Sequence, residues 1–426
     1  MAKHASESQA SSLRYGAADV ARLRNGQKLA NPRKDAGMVK LDDDAASAGV
    51  RLRSYWDSLV ARVAICLAVL VILGFVSTCF MGASGETMHF SAAYKAYNPL
   101  QVLAALGEHI YNAFADVLPF LETHTYDWLE TNMPWYWAVG QRVGDVLTVM
   151  VGGALLGMSG VLFQRALGSA AVGPGVLGSG AGTVLGVFLL VAYFGTSASN
   201  LVELRYLLCF GLGGVLTVLV LALAGRASKT GAHANTGALL LVGIGVFQVV
   251  AVVAGFFALT TFGVENFNEF FGLLFMLNVS SCAFTWAVIA FCAVACVLPV
   301  YLMRFRLNAL SLDAEEARFL GQKPARLRAV ALVCGTCMAL AGFALVGVAG
   351  LVCLVVPFLA KLLFGSEFSR QLAGCASLGA VIALVCRLVV DVIPFAGDGL
   401  SVAVLATVLL APLFVVVIIR SVKGVD

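Results

Sequence analysis

Long apolar runs alternate with short polar connections over most of this chain, and the pattern predicts membrane-spanning helices. An α-helix needs about 20 mainly apolar residues to cross the hydrocarbon core of a bilayer. Runs of about that length, one of them shorter, predict an all-α polytopic membrane protein of about ten transmembrane helices. The predicted helices span residues 60–82, 138–163, 175–195, 204–225, 237–261, 284–303, 328–349, 351–364, 371–393 and 401–420.

The composition agrees with a membrane protein. The 426 residues are 60% hydrophobic and their mean hydropathy is +0.92, which is more apolar sequence than a soluble core needs. The 44 glycines fit closely packed helices, because small residues let backbones approach in lipid. The eleven cysteines show no paired spacing. We therefore expect no disulfide framework and no zinc site, and expect the thiols to pack as small hydrophobic groups.

The predicted helices leave two ends and one long loop. Residues 1–57 are polar and lack a sustained apolar period, which indicates a disordered cytoplasmic tail rather than a signal peptide. The transmembrane domain is predicted over residues 58–420, followed by a short C-terminus at 421–426. Its first connection, 83–137, is a long external loop. An amphipathic stretch and a cluster of aromatic residues there favour a helix at the membrane interface.

The distribution of lysine and arginine predicts the orientation. Ten crossings place both termini on the same side of the membrane. The side of the tail holds most basic residues of the connections, whereas the opposite side holds only Lys95, Arg142 and Arg205. Because cytoplasmic loops are enriched in basic residues, both termini are predicted to be cytoplasmic. We expect the protein in the cell's inner, or cytoplasmic, membrane.

The connection at 304–328 carries nine charged residues, in a chain that is only 12% charged. Ser311 or Asp313 can cap a short helix, and Asp313 with Glu316 has the spacing of a capping box. Gly321 and a following proline end this helix. A helix of about two turns is not stable alone in water. It therefore packs on its own membrane domain as an ordinary connection, or docks into a cytoplasmic partner as a coupling helix.

Other motifs carry little chemistry. The G-x-G-x-x-G match at 173–178 has neither the strand nor the acidic residue of a dinucleotide site, so its glycines are expected to begin a helix. The chain has no Walker A sequence, and we expect no ATPase site in it. His89, His109 and His124 share the external loop with acidic residues, but their spacing matches no metal-ligand pattern. A solvated surface is favoured, and no cofactor is predicted.

Five segments resemble, in order, those of the FecCD-type permeases. These are the membrane subunits of binding-protein-dependent ABC importers for iron-siderophores, haem and vitamin B12. The segment LSLDAEEARFLG at 310–321 is similar to the coupling loop of that family. The other four are GGALLGMSGVLFQ at 152–164, PGVLGSGA at 174–181, GVAGLVCLVVP at 347–357 and APLF at 411–414. The resemblance covers roughly residues 60–420.

This resemblance implies the permease fold of type II ABC importers. It implies a dimer with a second copy or a sister permease, cytoplasmic ATP-binding subunits, and an extracytoplasmic substrate-binding protein. The residues implied to couple to the ATPase are Ser311, Asp313, Glu315, Glu316, Ala317, Arg318, Leu320 and Gly321. The glycines expected to allow close helix packing are Gly153, Gly157, Gly160, Gly178 and Gly182.

The chain departs from the family at the outer ends of two helices. The usual R-L-P-R is replaced by Arg142-Val-Gly-Asp145, and the usual A-D-x-x-x-R is inverted, with Arg387 before Asp391. In the family the outer arginines help dock acidic residues of the binding protein. We therefore predict docking through Arg142, Asp145 and Asp391 to a less acidic partner. Arg387 and Asp391 are four apart, which predicts an intramembrane pair with either a structural or a gating role.

The predicted function is therefore that of a transport subunit and not of an enzyme. It would move an iron chelate, haem or a corrinoid into the cytoplasm with ATP hydrolysed by a separate subunit. One alternative is an ion-gradient-driven secondary transporter, for which Asp391 is the clearest intramembrane acid. The other alternative is a non-transporting membrane scaffold that uses its tail to bind partners.

Overall fold

The computed structural model describes residues 61–78, 103, 106–107, 135–169, 172–175, 177–227, 234–275, 283–308, 324–392 and 402–423. In these residues the backbone is helical with short connections and has no strand, which confirms the all-α prediction. Eight of the described helices are long and apolar enough to cross a membrane, and two shorter apolar helices accompany them. The predicted tail and nearly all of the predicted external loop lie outside the described residues.

The described helices are numbered in chain order. They are α1 (Ala61–Thr78), α2 (Trp135–Leu167), α3 (Ser179–Phe194), α4 (Val202–Ala227), α5 (Ala234–Thr261), α6 (Val264–Phe275), α7 (Ala283–Cys292), α8 (Leu298–Leu302), α9 (Arg304–Asn308), α10 (Pro324–Val346), α11 (Gly350–Phe364), α12 (Phe368–Val392) and α13 (Val402–Lys423). A 3-10 segment, Gly195–Asn200, extends α3, and a π-helical segment, Ala293–Val297, joins α7 to α8.

Each predicted transmembrane helix has a counterpart among these elements. The predicted helix at 284–303 is the unit formed by α7, the π segment and α8. Pro299 explains its irregularity, since a proline has no N–H to donate to the preceding turn. The backbone N–H of Leu298 instead bonds to the carbonyl of Ala293, five residues earlier.

The core is built around α2. This helix packs along α10 and α12 and also contacts α11, while α13 packs on α11 and α12. Fully buried side chains at these contacts include Leu156, Phe343 and Val355. The helix α2 buries residues all round, as expected for a helix surrounded by others. It therefore serves as the central element of this half of the protein.

A second group of helices packs around α3. The helix α3 contacts α4, α5 and α6, and Leu190, Ala254 and Phe270 lie in the shared core. In contrast, α5 exposes many large apolar side chains, including Phe256 and Leu259. Such a surface fits contact with lipid or with another apolar protein surface.

The 12-residue helix α6 was not predicted from the sequence. Its apolar residues cover only one face: Phe270, Leu273 and Leu274 are buried, whereas Glu265 is exposed. A search for apolar runs of about 20 residues misses such a helix, because its amphipathic pattern is short. The helix α6 packs on α3 and on the 3-10 segment that extends α3.

The connection between α10 and α11 holds the end of α6. The backbone N–H of Val348 donates to the carbonyl oxygen of Leu274 at 3.3 Å. The preceding residue, Gly347, has a φ of 93°, and a Cβ there would lie 2.6 Å from the carbonyl oxygen of Phe275. Only glycine combines this backbone conformation with such a close approach. The end of the bundle that contains this corner is called the α6 end below.

Candidate functional site

The eight predicted ATPase-coupling residues lie between α9 and α10, at 311–321, and fall outside the described residues. The structure does describe both flanks of this segment. On one side α9 ends at Asn308, and on the other α10 begins at Pro324.

The flank α9 is fixed to the start of α12. Leu307 of α9 is fully buried, as is Phe368, the first residue of α12. The Asn308 carboxamide oxygen accepts a hydrogen bond of 3.4 Å from the Phe368 backbone N–H. The first N–H groups of a helix lack partners inside the helix, and a side-chain oxygen satisfies one of them. Here that oxygen comes from another helix, so it links the predicted coupling segment to α12.

The same turn between α11 and α12 is bound by α2. Arg165, in the last turn of α2, donates to the carbonyl oxygen of Ser366 and to the Gln371 carboxamide oxygen. The two bonds to Gln371, from Nε and a terminal guanidinium nitrogen, measure 3.2 and 2.8 Å. Gln371 then donates through its amide nitrogen to the Pro357 carbonyl oxygen at 3.1 Å. Three helices thus meet in one polar network among apolar neighbours.

The helix α11 carries Pro357 in its interior, and this proline explains much of the network. A proline has no N–H to donate to the carbonyl four residues earlier, which is that of Cys353. Side chains of α2 approach the carbonyls of this region. The Gln164 amide nitrogen donates to the Leu354 carbonyl oxygen at 3.1 Å. The Ser159 hydroxyl lies 3.7 Å from the Cys353 sulfur. The side chains of α2 and α12 therefore hold the irregular backbone of α11.

Gly160 lies where α2 and α11 approach each other closely. A Cβ at this position would lie 2.8 Å from the carbonyl carbon of Cys353 and closer still to its oxygen, and 2.9 Å from Cγ of Pro357. Two segments of the family resemblance, at 152–164 and 347–357, are therefore in direct contact. Ser159, Gly160 and Gln164 of the first segment all face the proline region of the second.

The other predicted packing glycines also lie at close backbone approaches. Gly153 of α2 faces Gly379 of α12, where a Cβ would lie 3.0 Å from the Gly379 carbonyl carbon. Gly157 faces Cys375, also on α12, with the corresponding distance 3.1 Å. On α3, a Cβ at Gly182 would lie 2.7 Å from the Leu212 carbonyl carbon of α4. Backbones at these distances leave no room for side chains.

Gly178 has a different geometry from the helical glycines. Its φ is 100°, and it directly precedes α3 as the N-cap residue. A Cβ there would lie 2.7 Å from the carbonyl oxygen of Leu216 in α4. The next residue, Ser179, donates through its hydroxyl to the carbonyl oxygen of Pro174. The G-x-G-x-x-G match thus begins a tightly packed helix.

The structure places the predicted docking residues on two helices. Arg142 and Asp145 belong to α2, whereas Arg387 and Asp391 lie in the last turns of α12. Asp145 is only 5% exposed and takes part in interactions within the protein. Direct contact of its carboxylate with a binding protein would therefore require a rearrangement that exposes it. Of Arg142 and Asp391 only the backbone belongs to the described part of the chain.

Sequence reasoning missed Asn308, Ser366 and Gln371 as parts of this site. For Gln371 a signal existed, because a glutamine in an apolar helix needs hydrogen-bond partners that lipid does not provide. Ser366 contributes only its backbone carbonyl, which no side-chain pattern can indicate. Asn308 acts through the start of a helix sixty residues further along the chain. No group of three or more histidine, cysteine, aspartate or glutamate residues suited to a metal ion occurs in the described residues.

Comparisons with known proteins agree on one class. The pattern of the FecCD transport family matches residues 100–420. The "Probable iron chelatin transport system permease protein" of Helicobacter pylori strain J99 is 28% identical over 286 residues, which are 67% of this chain and 82% of that protein. The vitamin B12 import system permease protein BtuC of Vibrio cholerae is 29% identical over 289 residues, 66% of this chain and 82% of that protein.

A solved structure has the same fold. It is an inward-facing conformation of a transporter assigned to the metal-chelate type of ABC transporter. Its TM-score is 0.59 at 20% sequence identity, and the match covers 86% of this chain and 99% of that chain. The similarity confirms the predicted fold class, a multi-pass helical permease fold.

Proposed function

Because the chain belongs to the FecCD transport family, we propose that it is the membrane-spanning permease subunit of a binding-protein-dependent ABC importer. The observation that carries this proposal is the match to the family over residues 100–420, which includes the helices α2–α12 and all of α13 except its last three residues. ATP is hydrolysed by separate cytoplasmic subunits. This chain supplies the path through the membrane, with both termini in the cytoplasm of the inner membrane.

We propose that the segment 311–321 docks into an ATPase subunit and transmits its movement. The contact between Asn308 and the start of α12 supports this role, because it ties one flank of the segment to the bundle. The Arg165 network ties the same turn to the central helix α2. A displacement of the segment would thus act on α12, α2 and α11 together and not on one helix alone.

The proposed cargo is an iron chelate, haem or a corrinoid. One relative is named for iron chelatin transport and another for vitamin B12 import, which supports this proposal. The permease would pair with a second copy or a sister permease, with the path along the dimer axis. The binding protein would dock at the α6 end, near Arg142 and Asp391, and the inverted charges there favour a contact patch less acidic than usual.

Reconstituted uptake tests this function. The full chain would be co-expressed with the proposed ATPase subunit and lipoprotein-like binding protein, and reconstituted into liposomes with ATP inside. We expect ATP-dependent uptake of one of three radiolabelled cargoes: a ferric siderophore, haem or cobalamin. Uptake that persists with an ATPase subunit unable to hydrolyse ATP would favour an ion-gradient-driven transporter. Absence of any uptake in the complete assembly would favour a scaffold.

A deletion in the proposed coupling segment tests whether this segment is needed to bind the ATPase subunit but not for insertion in the membrane. Removal of residues 313–321 should abolish co-purification of the ATPase subunit, because the docking helix is lost. The shortened chain should still be inserted in the membrane fraction, since both flanking helices keep their anchors in the bundle. Full retention of the ATPase by the shortened chain would overturn the proposed coupling role.

A further inference from the structure

The last turn of α11 places a lysine beside exposed apolar side chains. Lys361, Leu362 and Leu363 are all exposed, and the two leucines keep 55% and 49% of their surface accessible. The helix begins three residues after Gly347, at the α6 end, so its last turn lies at the opposite end of the bundle. Its 15 residues rise only about 22 Å, whereas the hydrocarbon core of a bilayer is about 30 Å thick. A cation at the end of so short a helix extends toward the lipid headgroups.

A second cation, Arg62 of α1, reaches the same turn. Its guanidinium donates to the carbonyl oxygen of Leu363. This carbonyl is one of the last four of α11, which have no partner inside the helix. The bond uses one of the five N–H groups of a guanidinium. Because Arg62 is exposed, its other N–H groups remain available to an acceptor outside the protein. Arg62 and Lys361 are called the basic pair below.

The helix that follows Arg62 has an apolar surface. Ile65, Leu67, Val71 and Ile72 are between 54% and 71% exposed. Such side chains on a membrane helix suit contact with acyl chains. A basic residue directly before an apolar, exposed helix surface is typical of the level at which hydrocarbon meets headgroups. The basic pair therefore lies at the boundary between the acyl chains and the headgroups of the lipid.

The acid of the α11–α12 turn does not neutralise the basic pair. Glu367 is ion-paired through Oε2 with Nε of Arg370 at 2.8 Å. Its other oxygen, Oε1, accepts a hydrogen bond of 3.1 Å from the Ser369 hydroxyl. In the part of the chain that the structure describes, no ion pair joins Arg62 or Lys361 to a carboxylate. An anion from outside the chain would therefore meet two cations that lack a counter-charge.

We propose that the basic pair binds the phosphate group of an anionic phospholipid, whose acyl chains lie along the exposed surfaces of α1 and α11. Arginine donates two parallel hydrogen bonds to a phosphate, and lysine adds a point charge. A net negative lipid is favoured over a zwitterionic one, because two positive charges are to be compensated. In the orientation of the proposed function this lipid belongs to the inner leaflet, where basic groups between helices bind such headgroups.

The apolar surroundings favour a lipid over an acidic protein surface. An ATPase subunit lies in water and would cover the two cations only. The exposed side chains of α1, and Leu362 and Leu363 of α11, would then remain without a partner. A phospholipid matches both parts of the surface, since its phosphate suits the basic pair and its acyl chains suit the apolar side chains. The same lipid would bridge α1 and α11, next to the bond from Arg62 to Leu363.

Native mass spectrometry of the full chain in a neutral detergent tests the proposal. The protein would be titrated with phosphatidylglycerol and, in parallel, with phosphatidylcholine. We expect phosphatidylglycerol to bind more tightly to the wild-type protein. Arg62→Ala and Lys361→Ala should each weaken it about fivefold, the usual effect of one basic residue near anionic lipid. Arg326→Ala is the matched control, because Arg326 is also exposed but lies at the start of α10, and it should leave the binding unchanged.

The two single variants differ in their effect on the fold. Arg62→Ala also removes the bond to Leu363, whereas the side chain of Lys361 makes no hydrogen bond within the described residues. Lys361→Ala therefore tests lipid binding without loss of a described contact. Equal affinity of the wild-type protein for the two lipids would overturn the proposal, whether or not either variant folds. Equal binding of phosphatidylglycerol by Lys361→Ala and the wild-type protein would exclude Lys361 from the site.

Soluble anions separate a lipid site from a site for free phosphate. Inorganic phosphate and glycerol 3-phosphate, each at 100-fold excess over the lipid, should not displace phosphatidylglycerol, because they bury no acyl chain. Displacement by either anion would assign the basic pair to a soluble ligand and overturn the proposal. Loss of ATPase co-purification in Lys361→Ala, with unchanged lipid binding, would assign the pair to the ATPase subunit and would also overturn it. The lipid measurements need no transport, so an assembly without uptake would refute only the proposed function.

Discussion

Gly160 of α2 lies directly against the carbonyl group of Cys353 in α11, four residues before Pro357. The proline cannot donate to that carbonyl, and the glycine lets the backbone of α2 approach it without a side chain in between. This contact lies between Ser159, near the Cys353 sulfur, and Gln164, which donates to Leu354. The helix α2 therefore contacts the short helix α11 at its backbone as well as at its side chains.

The substitution Gly160→Ala tests this contact. The added methyl group would overlap the carbonyl group of Cys353. Because this carbonyl belongs to the backbone of α11, α2 and α11 must move apart. Overpacking of this kind costs about 1–3 kcal/mol, and more where the backbone cannot yield. We expect a clearly lower melting temperature of the detergent-solubilised protein. The control Gly214→Ala adds a methyl with no atom within 4 Å and should be neutral or stabilising. Equal effects of both changes would show that the contact is unimportant.

The substitution Gln371→Leu tests the polar network that joins α2, α11 and α12. It removes the acceptor of Arg165 and the donor to the Pro357 carbonyl oxygen at once. A buried polar group left without a partner costs about 1–3 kcal/mol, and more when it is charged. We expect a loss of stability of that size in thermal unfolding.

Ser377→Ala is the matched control for Gln371→Leu. Ser377 lies on the same helix and bonds only to the nearby Gly374 carbonyl in the described contacts, so its loss should cost little. A double change, Arg165→Met with Gln371→Leu, should cost less than the sum of the single changes, because the second change removes a side chain that has already lost its hydrogen bonds to the first. Strict additivity would indicate that the two side chains are not coupled.

The substitution Gly347→Ala tests the corner that holds α6. Its φ of 93° is unfavourable for alanine, and a Cβ would lie 2.6 Å from the Phe275 carbonyl oxygen. The strain is worth about 1–3 kcal/mol. We expect faster hydrogen exchange at the Val348 amide, whose bond to Leu274 would weaken. Gly263→Ala, next to α6 but without a close neighbour, should leave this exchange unchanged. A similar exchange rate in both variants would argue against the corner as the anchor.

The pair Asn308→Ala and Asn308→Asp tests the link between the coupling segment and α12. Alanine removes the acceptor for the Phe368 N–H, whereas aspartate keeps one. Loss of such a cap costs about 1 kcal/mol. Under the proposed function we expect alanine to lower the rate of uptake per ATP hydrolysed and aspartate to retain it. Equal coupling ratios in both variants would exclude Asn308 as the transmitting contact.

Exchange of Arg387 and Asp391 tests the predicted pair near the end of α12. Each single reversal leaves two like charges four residues apart, which is unfavourable in an apolar setting. The double exchange restores opposite charges. We therefore expect it to recover most of the stability lost in either single variant, as measured by thermal unfolding. A double variant as unstable as the sum of the singles would mean that the two side chains do not interact.

The all-helical class, the long apolar helices and the family were accessible from the sequence, because they depend on local composition. An apolar run of about 20 residues has few alternatives to a membrane helix, since lipid cannot satisfy the backbone polar groups. This is why the predicted helix at 371–393 corresponds closely to α12, Phe368–Val392. The helix α6 was missed because it is short and amphipathic and packs on α3, so it contains no apolar run of about 20 residues.

The contacts of the site were only partly accessible. Glycine clusters predicted close packing, but not which helix each glycine faces: Gly153 faces α12, Gly160 faces α11 and Gly182 faces α4. The partner of Arg165 could not be read from the chain, because Gln371 lies 206 residues away. Side chains that act on backbone carbonyls, such as Gln164 on Leu354, leave no pattern at the accepting residue.

The sequence by itself determined that this protein crosses a membrane many times, that it belongs with a family of permeases, and that one strongly charged connection interrupts its apolar runs. These properties follow from the local free energy of transfer between water and lipid. Only the tertiary structure decided that Gly160 meets Cys353, that Asn308 bonds to Phe368, and that Arg165 bonds to Gln371. Such pairings depend on how helices rotate and cross, which is set by the packing of all their side chains together.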